Sequence, residues 1–280
     1  MGAALLSFDL ATPAGPRPIL APSGSEPSDV GHSSLFPMAP FANRIRNNRL
    51  IIAGRDVQPE PNTDDPLCLH GWAWQRAWQV ARQAPDSCQL RMRLRDHGYD
   101  LTLTYEMYLS ETALQLTLGA VNESAAPAPV GLGLHPYFPR GADTRISFAA
   151  DKVWPDGPGH LPAGSRPISE CDDYSAGRSL PPVWRNDCYS GWSGQARIQQ
   201  PSLGYDLDLT ARGTDVLMFY ADPSLERFAL EPQTHVSGET HTGSDGLLAL
   251  APGQDTRISL TLSVRPHAPN PAPQVPHAPD

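Results

Sequence analysis

The stretch CQLRMRLRDHGYDLTLTYEMYLSETALQLTL, residues 88–118, decides the fold class of this chain. Apolar residues occupy every second position in three successive segments, which are separated by the turn-forming sequences Asp96-His97-Gly98 and Ser110-Glu111-Thr112. This alternation is typical of strands that bury one face and expose the other to water. The stretch therefore predicts a meander of three antiparallel strands.

The same pattern recurs further along the chain. Residues 205–209 and 258–264 alternate apolar and polar side chains, and residues 216–221 form an apolar run that ends at a turn. No segment of ten or more residues has the 3.6-residue apolar period of a helix. Many short strands joined by turns predict an all-β fold, specifically a large antiparallel β-sandwich.

Composition indicates one folded unit with a tail. The chain has 280 residues, of which 40% are hydrophobic and 18% charged, so it can bury a sizeable core. With no internal repeat and no second composition regime, residues 1–265 are predicted to form a single domain. Residues 266–280 are proline-rich and are predicted to be a flexible tail. Residues 154–187 contain six prolines and are predicted to be a long surface loop, which could form a wall of a binding site.

Charge, hydropathy and cysteine usage exclude several functional classes. A net charge of −9 argues against nucleic-acid binding, because phosphates favour a basic surface. No apolar run approaches the ~20 residues of a membrane span, and the N-terminus lacks a secretory signal. The cysteines, Cys68, Cys88, Cys171 and Cys188, form no C-x-x-C pair, which favours buried reduced thiols over a metal site. We therefore expect a cytoplasmic protein that is a monomer or a homodimer.

Five short segments carry polar residues that an ordinary strand or turn does not require. They are FPMAPFANRIRNNRL (36–50), LHGWAWQRAWQV (69–80), GLGLHPYFP (131–139), RNDCYSGW (185–192) and RFALEPQTH (227–235). Their candidate functional residues are Asn43, Arg44, His70, His135, Asp187 and Glu231. His135 and Glu231 each precede a proline, which restricts the backbone to an extended conformation and so limits where each side chain points.

Each candidate also has an ordinary structural interpretation. His70 and His135 could be core histidines, Glu231 could pair with Arg227, and Asp187 could be a turn residue. The tryptophans of the second segment are predicted to be core residues rather than a ligand platform; they are Trp72, Trp74 and Trp78. The functional interpretation rests on the combination of segments and not on any one of them.

In order and approximate spacing, the five segments resemble the aldose 1-epimerases, also called mutarotases. The resemblance runs from residue 36 to about residue 264, and FPMAPFANRI and GLGLHPYF are its most specific parts. It implies a β-sandwich of the galactose mutarotase type with a sugar pocket on a concave sheet face. It also implies that Glu231 is a general base and His135 a general acid. The residues implied to bind the sugar are Asn43, Arg44, His70 and Asp187.

The implied reaction interconverts the α and β anomers of a free aldose. Ring opening removes a proton from the C1 hydroxyl and adds one to the ring oxygen, so it needs an acid and a base, which we expect on opposite sides of the anomeric centre. The reaction requires no metal, nucleotide or redox cofactor. Two alternatives remain open. One is a hexose 6-phosphate mutarotase with Arg46 and Arg49 as the phosphate clamp, and the other is a sugar-binding module without catalysis.

Overall fold

The computed structural model describes residues 2–23, 30–243 and 245–267, and in these residues the chain is built mainly from strands. The first strands along the chain are β1 (Asp9–Leu10), β2 (Arg17–Pro18), β3 (Leu35–Met38), β4 (Leu50–Ile52), β5 (Arg55–Val57), β6 (Gln79–Ala84), β7 (Ser87–Asp96), β8 (Tyr99–Leu109), β9 (Ala113–Asn122), β10 (Ala128–Val130) and β11 (Gly133–Pro139). The remaining strands are β12 (Arg145–Phe148), β13 (Lys152–Trp154), β14 (Arg166–Pro167), β15 (Arg178–Ser179), β16 (Arg185–Ser190), β17 (Gln195–Gln200), β18 (Tyr205–Arg212), β19 (Val216–Ala221), β20 (Arg227–Gln233), β21 (Leu248–Leu250) and β22 (Asp255–Pro266). Short 3₁₀ turns span Val30–His32, Arg46–Asn48, Ala73–Gln75, Pro158–His160, Glu170–Asp172 and Pro201–Leu203.

Two large antiparallel sheets form a sandwich. The strand order is β14-β13-β16-β19-β20-β11-β3 in the seven-stranded sheet and β15-β12-β17-β18-β22-β9-β8-β7-β6 in the nine-stranded sheet. Two-stranded ribbons join β1 to β2, β4 to β5 and β10 to β21. The predicted all-β sandwich is confirmed.

The meander that the alternation predicts is β7, β8 and β9 of the nine-stranded sheet. Leu94 pairs with Leu101, and Leu103 pairs with Ala120 across the next strand boundary. These apolar side chains are buried, whereas the intervening Arg93 is exposed. Each fully buried leucine side chain contributes roughly 1.5–3 kcal/mol, which explains why the alternation is a reliable signal.

The main core lies between the two sheets. Side chains from the inner face of the seven-stranded sheet and from the nine-stranded sheet belong to one buried cluster, which includes Leu217, Phe219, Phe228 and Leu230 from the first and Leu207, Leu209, Leu260 and Leu262 from the second. Successive side chains of a strand point to opposite faces. The residues between these core positions, among them Met218, Tyr220 and Glu231, therefore face away from the sandwich interior.

The outer face of the seven-stranded sheet is covered by its own smaller apolar cluster. This cluster includes Phe36, Met38, Trp74, Tyr137 and Ala229. The predicted core role of the tryptophans holds for Trp72 and Trp74, which are buried, and Trp78 is partly buried against the main core. Coverage of this second face by the chain between β3 and β6 creates the sheltered space in which the candidate site lies.

The segment 154–187 is not the plain surface loop that its prolines predicted. Within it, β14 extends the edge of the seven-stranded sheet and β15 extends the edge of the nine-stranded sheet. Asp187 belongs to β16, in the interior of a sheet. Paired segments of two residues are too short to produce a readable alternation, and proline is compatible with sheet edges.

Three further expectations concern the end of the chain, the cysteines and the membrane. The last strand runs through Pro266, one residue past the predicted domain end, and residues 268–280 lie outside the described residues. All four cysteines are free, but Cys88 is only half-buried and Cys171 is exposed, so full burial holds for two of them. Within the described ranges, no helix has the length and apolarity that crossing a bilayer requires.

Candidate active site

A small cavity opens on the outer face of the seven-stranded sheet. Its volume is about 150 Å³, close to that of an engineered cavity known to bind benzene, so it suits a single six-membered ring. The residues lining it are Asn43, Arg44, Leu69, His70, His135, Tyr137, His160, Trp184, Asn186, Tyr220 and Glu231. A wider groove of about 710 Å³ on the nine-stranded sheet has no histidine in its lining, so it offers no comparable acid–base pair.

His135 and Glu231 face each other across two neighbouring strands. Strand β11 pairs with β20 so that Gly133 is opposite Gln233 and Tyr137 is opposite Ala229, which brings His135 level with Glu231. His135 Nε2 lies 3.3 Å from Glu231 Oε1, and the two side chains are only 7% and 2% exposed. The structure therefore brings together the two residues that the resemblance implies as acid and base.

Burial shifts the proton affinity of both groups. It raises the pKa of Glu231 to about 8, although a hydrogen bond from Gln233 and the charge of Arg44 pull the other way. Burial, with the charge of Arg227, lowers the pKa of His135 to about 3. Both shifts disfavour the charged forms, as expected for groups removed from water. At neutral pH the pair therefore holds one proton between its two members.

Aromatic rings hold the His135 imidazole in place. Phe36 stacks on it at 4.7 Å between ring centroids, Tyr137 lies at 4.5 Å, and His70 meets it nearly edge-on at 5.2 Å. Its Nδ1 atom is buried without a partner from another described residue. Packing, rather than a hydrogen bond to Nδ1, thus directs Nε2 towards Glu231.

Two hydrogen bonds between Asn43 and His70 connect the loops that carry them. The His70 N–H donates to the Asn43 carbonyl oxygen at 2.8 Å, and the Asn43 N–H donates to His70 Nδ1 at 3.1 Å. Both residues have positive φ, a conformation that Asn and His adopt more readily than most side chains. Burial and the nearby charges keep the pKa of His70 well below its usual value. Because Nδ1 accepts, the neutral ring carries its proton on Nε2 as a donor.

Arg44 is oriented by two neighbours. Its Nε atom donates to Asp65 Oδ2 at 2.8 Å, its second terminal nitrogen lies 2.7 Å from the same oxygen, and its first donates to Asn43 Oδ1 at 3.2 Å. The side-chain oxygen of Asn43, Oδ1, is therefore occupied in positioning Arg44. Asp65 was not among the predicted site residues, because it lies in a polar run, NTDD, with no distinguishing signal.

Asp187 does not line the cavity, contrary to its predicted role. It pairs in register with Phe219, a core residue, so its side chain is on the inner side of the sheet. There it accepts hydrogen bonds from the Asp156 N–H at 2.8 Å and from Arg185 at 3.2 Å. Burial raises the pKa of Asp187. Its neighbour Asn186, which pairs with Tyr220, takes the place in the cavity.

Asp156 connects the residues of the cavity wall that the sequence analysis did not single out. Its carboxylate accepts hydrogen bonds from Asn186 at 3.0 Å and from the Trp184 indole at 3.2 Å, and it pairs with His160 Nδ1 at 3.1 Å. The only sequence signal for these residues was the proline-rich segment 154–187, which was predicted to form a possible wall of a binding site without any residue being specified.

The arginines of the phosphate alternative lie elsewhere. Arg49 pairs with Asp56 at 2.9 Å, and Arg46 donates to the Pro162 carbonyl oxygen at 2.8 Å; neither arginine lines the cavity. Among the described residues, no three His, Cys, Asp or Glu side chains are grouped closely enough to hold a metal ion.

Known proteins are similar to this chain in sequence and in fold. YphB of Escherichia coli K12, an uncharacterized protein, is 34% identical over 259 residues, which cover 88% of this chain and 89% of YphB. A crystal structure from the same organism, provisionally described as an aldose 1-epimerase, has a TM-score of 0.86 and 31% identity, covering 95% of this chain and 93% of that one. A GalM/aldose epimerase homologue from C. elegans has a TM-score of 0.82 at 18% identity, with coverage of 95% and 94%, and is alike in fold.

The family assignment follows from the match along the chain. The model of the aldose 1-epimerase family matches residues 1–263, which include all five segments identified in the sequence. The seven-stranded sheet brings their histidines, Arg44 and Glu231 to one cavity. The chain belongs to the aldose 1-epimerase family.

Proposed function

We propose that this protein is an aldose 1-epimerase that interconverts the α and β anomers of a free monosaccharide by acid–base catalysis. The observation that carries the proposal is the contact between His135 and Glu231 inside a cavity the size of one sugar ring. Family membership supports the reaction class, and the perturbed pKa values of both groups are typical of catalytic residues.

The reaction explains why the two groups are neighbours. The C1 hydroxyl oxygen and the ring oxygen are bonded to the same carbon, so the base at one and the acid at the other must also lie close together. Glu231 accepts the proton of the C1 hydroxyl, His135 donates a proton to the ring oxygen, and the C1–O5 bond breaks to give the open-chain aldehyde. We expected the acid and the base on opposite sides of the anomeric centre. Because His135 and Glu231 are adjacent on one sheet face, we now propose that both approach the anomeric centre from the same side.

The proton count stays constant through the cycle. Ring opening requires the form of the pair in which His135 holds the proton and Glu231 is ionised, and it ends with the proton on Glu231, the form that burial favours. Rotation about C1–C2 then turns the other face of the C1 carbonyl towards the hydroxyl that closes the ring. On closure, Glu231 returns a proton to the C1 oxygen and His135 recovers one from the ring-forming hydroxyl. Positioned acid–base groups typically contribute ~10²–10⁴-fold each to such a reaction.

Arg44 and His70 supply hydrogen-bond donors beside the reacting carbon. Arg44 is held by Asp65, and His70 in its neutral form carries a proton on Nε2. Donors fixed in a sheltered site stabilise charge that develops on a substrate oxygen better than water does. We therefore assign both residues to the sugar hydroxyls and the transient carbonyl oxygen, with Asn43 positioning Arg44.

Neither alternative is supported as well. A hexose 6-phosphate would need cationic groups for its phosphate, yet Arg46 and Arg49 are committed to other partners. A module that only binds sugar has no need for a buried carboxyl whose pKa is raised to about 8 beside a histidine. The free cysteines are compatible with a reducing compartment, which supports our proposal that the protein acts in the cytoplasm.

Polarimetry of freshly dissolved pure anomers tests the proposal. The protein should accelerate the approach to anomeric equilibrium of at least one of glucose, galactose, xylose and arabinose. Glu231→Gln should lower kcat by ~10²-fold or more, whereas Glu226→Gln, at an exposed carboxylate between β19 and β20, should behave as wild type. If Glu231→Gln is as active as Glu226→Gln, the base assignment is wrong; if no aldose responds, the activity is wrong.

A further inference from the structure

The wall of the cavity that faces the catalytic pair is organised around one carboxylate. Asp156 accepts hydrogen bonds from Asn186 and Trp184 and pairs with His160, while its backbone N–H donates to Asp187. These contacts join the loop after β13 to the start of β16. We call Asp156, His160 and Trp184 the distal wall.

The strand order places Asn186, the anchor of the distal wall, two strands away from Glu231, and His160 and Trp184 line the same cavity as the reacting groups. Asn186, which anchors Asp156, lies on β16, and Glu231 lies on β20, with β19 between them. Adjacent strands are about 4.8 Å apart, so β16 and β20 are separated by roughly 10 Å. That span accommodates a six-membered ring with a hydrogen bond of about 2.8 Å at either side. Tyr220 on β19 forms the floor between the two walls.

The hydrogen bond to Asp156 sets the chemistry that His160 offers. A carboxylate only accepts, so His160 Nδ1 donates, and the neutral ring has its lone pair on Nε2. Within the described residues, no hydrogen bond engages that Nε2 atom. His70 carries its proton on Nε2 instead, so His70 and His160 offer opposite hydrogen-bonding roles. A hydroxyl group, which both donates and accepts, can use either ring.

Trp184 supplies an apolar surface in the same wall. Its indole N–H is committed to Asp156, and its ring meets Tyr220 edge-on at 5.2 Å between centroids. The residue is nevertheless 42% exposed. A large aromatic side chain that is held rigidly and left accessible at a cavity is suited to covering the C–H surface of a sugar ring.

We propose that the distal wall recognises the part of a monosaccharide farthest from C1, with His160 accepting a hydrogen bond from the C4 or C6 hydroxyl and Trp184 covering the ring carbons. This inference rests on the proposed function for its orientation, because the catalytic pair must face C1. The Asp156 carboxylate makes the wall unfavourable for an anionic substituent, so the wall selects an unphosphorylated sugar.

The proposal is tested by removing a hydroxyl from the sugar and a side chain from the protein, separately and together, as in a double-mutant cycle. Anomer interconversion of glucose, 4-deoxyglucose, 6-deoxyglucose and 2-deoxyglucose is followed for wild type and for His160→Ala. In wild type, loss of the recognised hydroxyl should raise KM roughly five- to tenfold, the worth of one neutral hydrogen bond. In His160→Ala, loss of the same hydroxyl should no longer raise KM. The kcat of this variant should differ from wild type by less than twofold, and the change in KM between glucose and 2-deoxyglucose should be the same as in wild type.

Two further variants separate the roles within the wall. Trp184→Ala should raise KM roughly tenfold for all four sugars, because ring carbons are common to them. His267→Ala removes a histidine of similar exposure that pairs with Asp206 away from the cavity, and it should leave KM unchanged. A 4-deoxy or 6-deoxy penalty that persists in His160→Ala, or an effect confined to 2-deoxyglucose, overturns the proposal.

Calorimetric titration of glucose into the same variants distinguishes failure of the wall from failure of the activity. Weaker glucose binding in His160→Ala and Trp184→Ala supports the wall even if wild type interconverts no anomers, in which case only the proposed activity fails. Glucose binding that both variants retain at wild-type strength overturns the wall even if polarimetry establishes the activity.

Discussion

His135 Nε2 lies 3.3 Å from Glu231 Oε1, with both side chains almost entirely removed from water. Burial favours a neutral imidazole and a protonated carboxyl, and at this distance a charge on either group changes the proton affinity of the other. The two groups therefore titrate as a pair, and their protons belong to the pair rather than to either residue. We therefore expect the pH dependence of activity and the stability of the protein to depend on these two groups.

We expect kcat/KM to be flat at neutral and mildly acidic pH and to fall above about pH 8. The active pair holds one proton, and it loses that proton as the pH rises through the raised pKa of Glu231, about 8. Polarimetry from pH 5 to 9, with the spontaneous rate subtracted, measures the profile. A rate that instead climbs through pH 8 would show that Glu231 acts as an independent base.

Glu231→Gln should stabilise the protein relative to wild type, and more so as the pH rises. The pKa of Glu231 is raised from 4.5 to about 8 on folding, so its contribution to stability is complete below pH 4.5 and is lost as the pH rises through about 8. Glutamine does not titrate, so the Glu231→Gln variant does not lose unfolding free energy in this way as the pH rises. Urea unfolding at pH 5 and pH 8 should show the difference in unfolding free energy growing by at least about 1 kcal/mol. An equal difference at the two pH values would contradict the burial of an ionisable carboxyl.

Asp65→Asn should weaken sugar binding without abolishing turnover. Two nitrogens of Arg44 contact Asp65 Oδ2, so loss of the negative charge lets the guanidinium move from its place in the cavity. We expect KM to rise roughly tenfold, the worth of one hydrogen bond to a charged group. The matched control is Asp56→Asn, which breaks the exposed pair with Arg49 and should leave KM unchanged. Equal KM values in the two variants would show that Arg44 needs no anchor.

Substitutions at Asn186 and Asp187 should have opposite consequences. Asp187→Ala leaves the Asp156 N–H and Arg185 without their buried partner, and we expect it to cost about 1–3 kcal/mol of unfolding free energy in urea denaturation. Asn186→Ala should raise KM while changing the unfolding free energy by no more than about 1 kcal/mol. A large KM effect in Asp187→Ala at normal stability would restore Asp187 as a sugar-binding residue.

The fold could be predicted because its signal is local. The alternation in residues 88–118 reflects strands with one wet and one buried face, and each strand can be recognised from its own residues. The strand that carries Asn186 and Asp187 gave no such signal. Almost every residue of β16 is buried, since both faces of the seven-stranded sheet are covered, so the sequence offers no alternation that tells inward from outward positions.

The candidate site was predictable in part for a different reason. The family resemblance named six residues, of which Asp187 does not line the cavity; the five that do are His135, Glu231, Arg44, His70 and Asn43. The residues that it did not name act on those side chains: Asp65 orients Arg44, and Asp156 orients His160 and Trp184. Asp65 and Asp156 lie in loops of ordinary polar composition. Only their short distances to the side chains that they orient identify them as part of the site.

By itself the sequence determined a sandwich of antiparallel strands and the candidate acid, base and arginine of the site, because periodicity and short motifs are carried by residues close together in the chain. The tertiary structure alone decided that His135 and Glu231 lie in contact, that Asn186 rather than Asp187 faces the cavity, and that His160 and Trp184 line the same cavity. Each of those relations depends on which strands pair and in what register. A contact between distant segments has no counterpart in the local pattern of either segment.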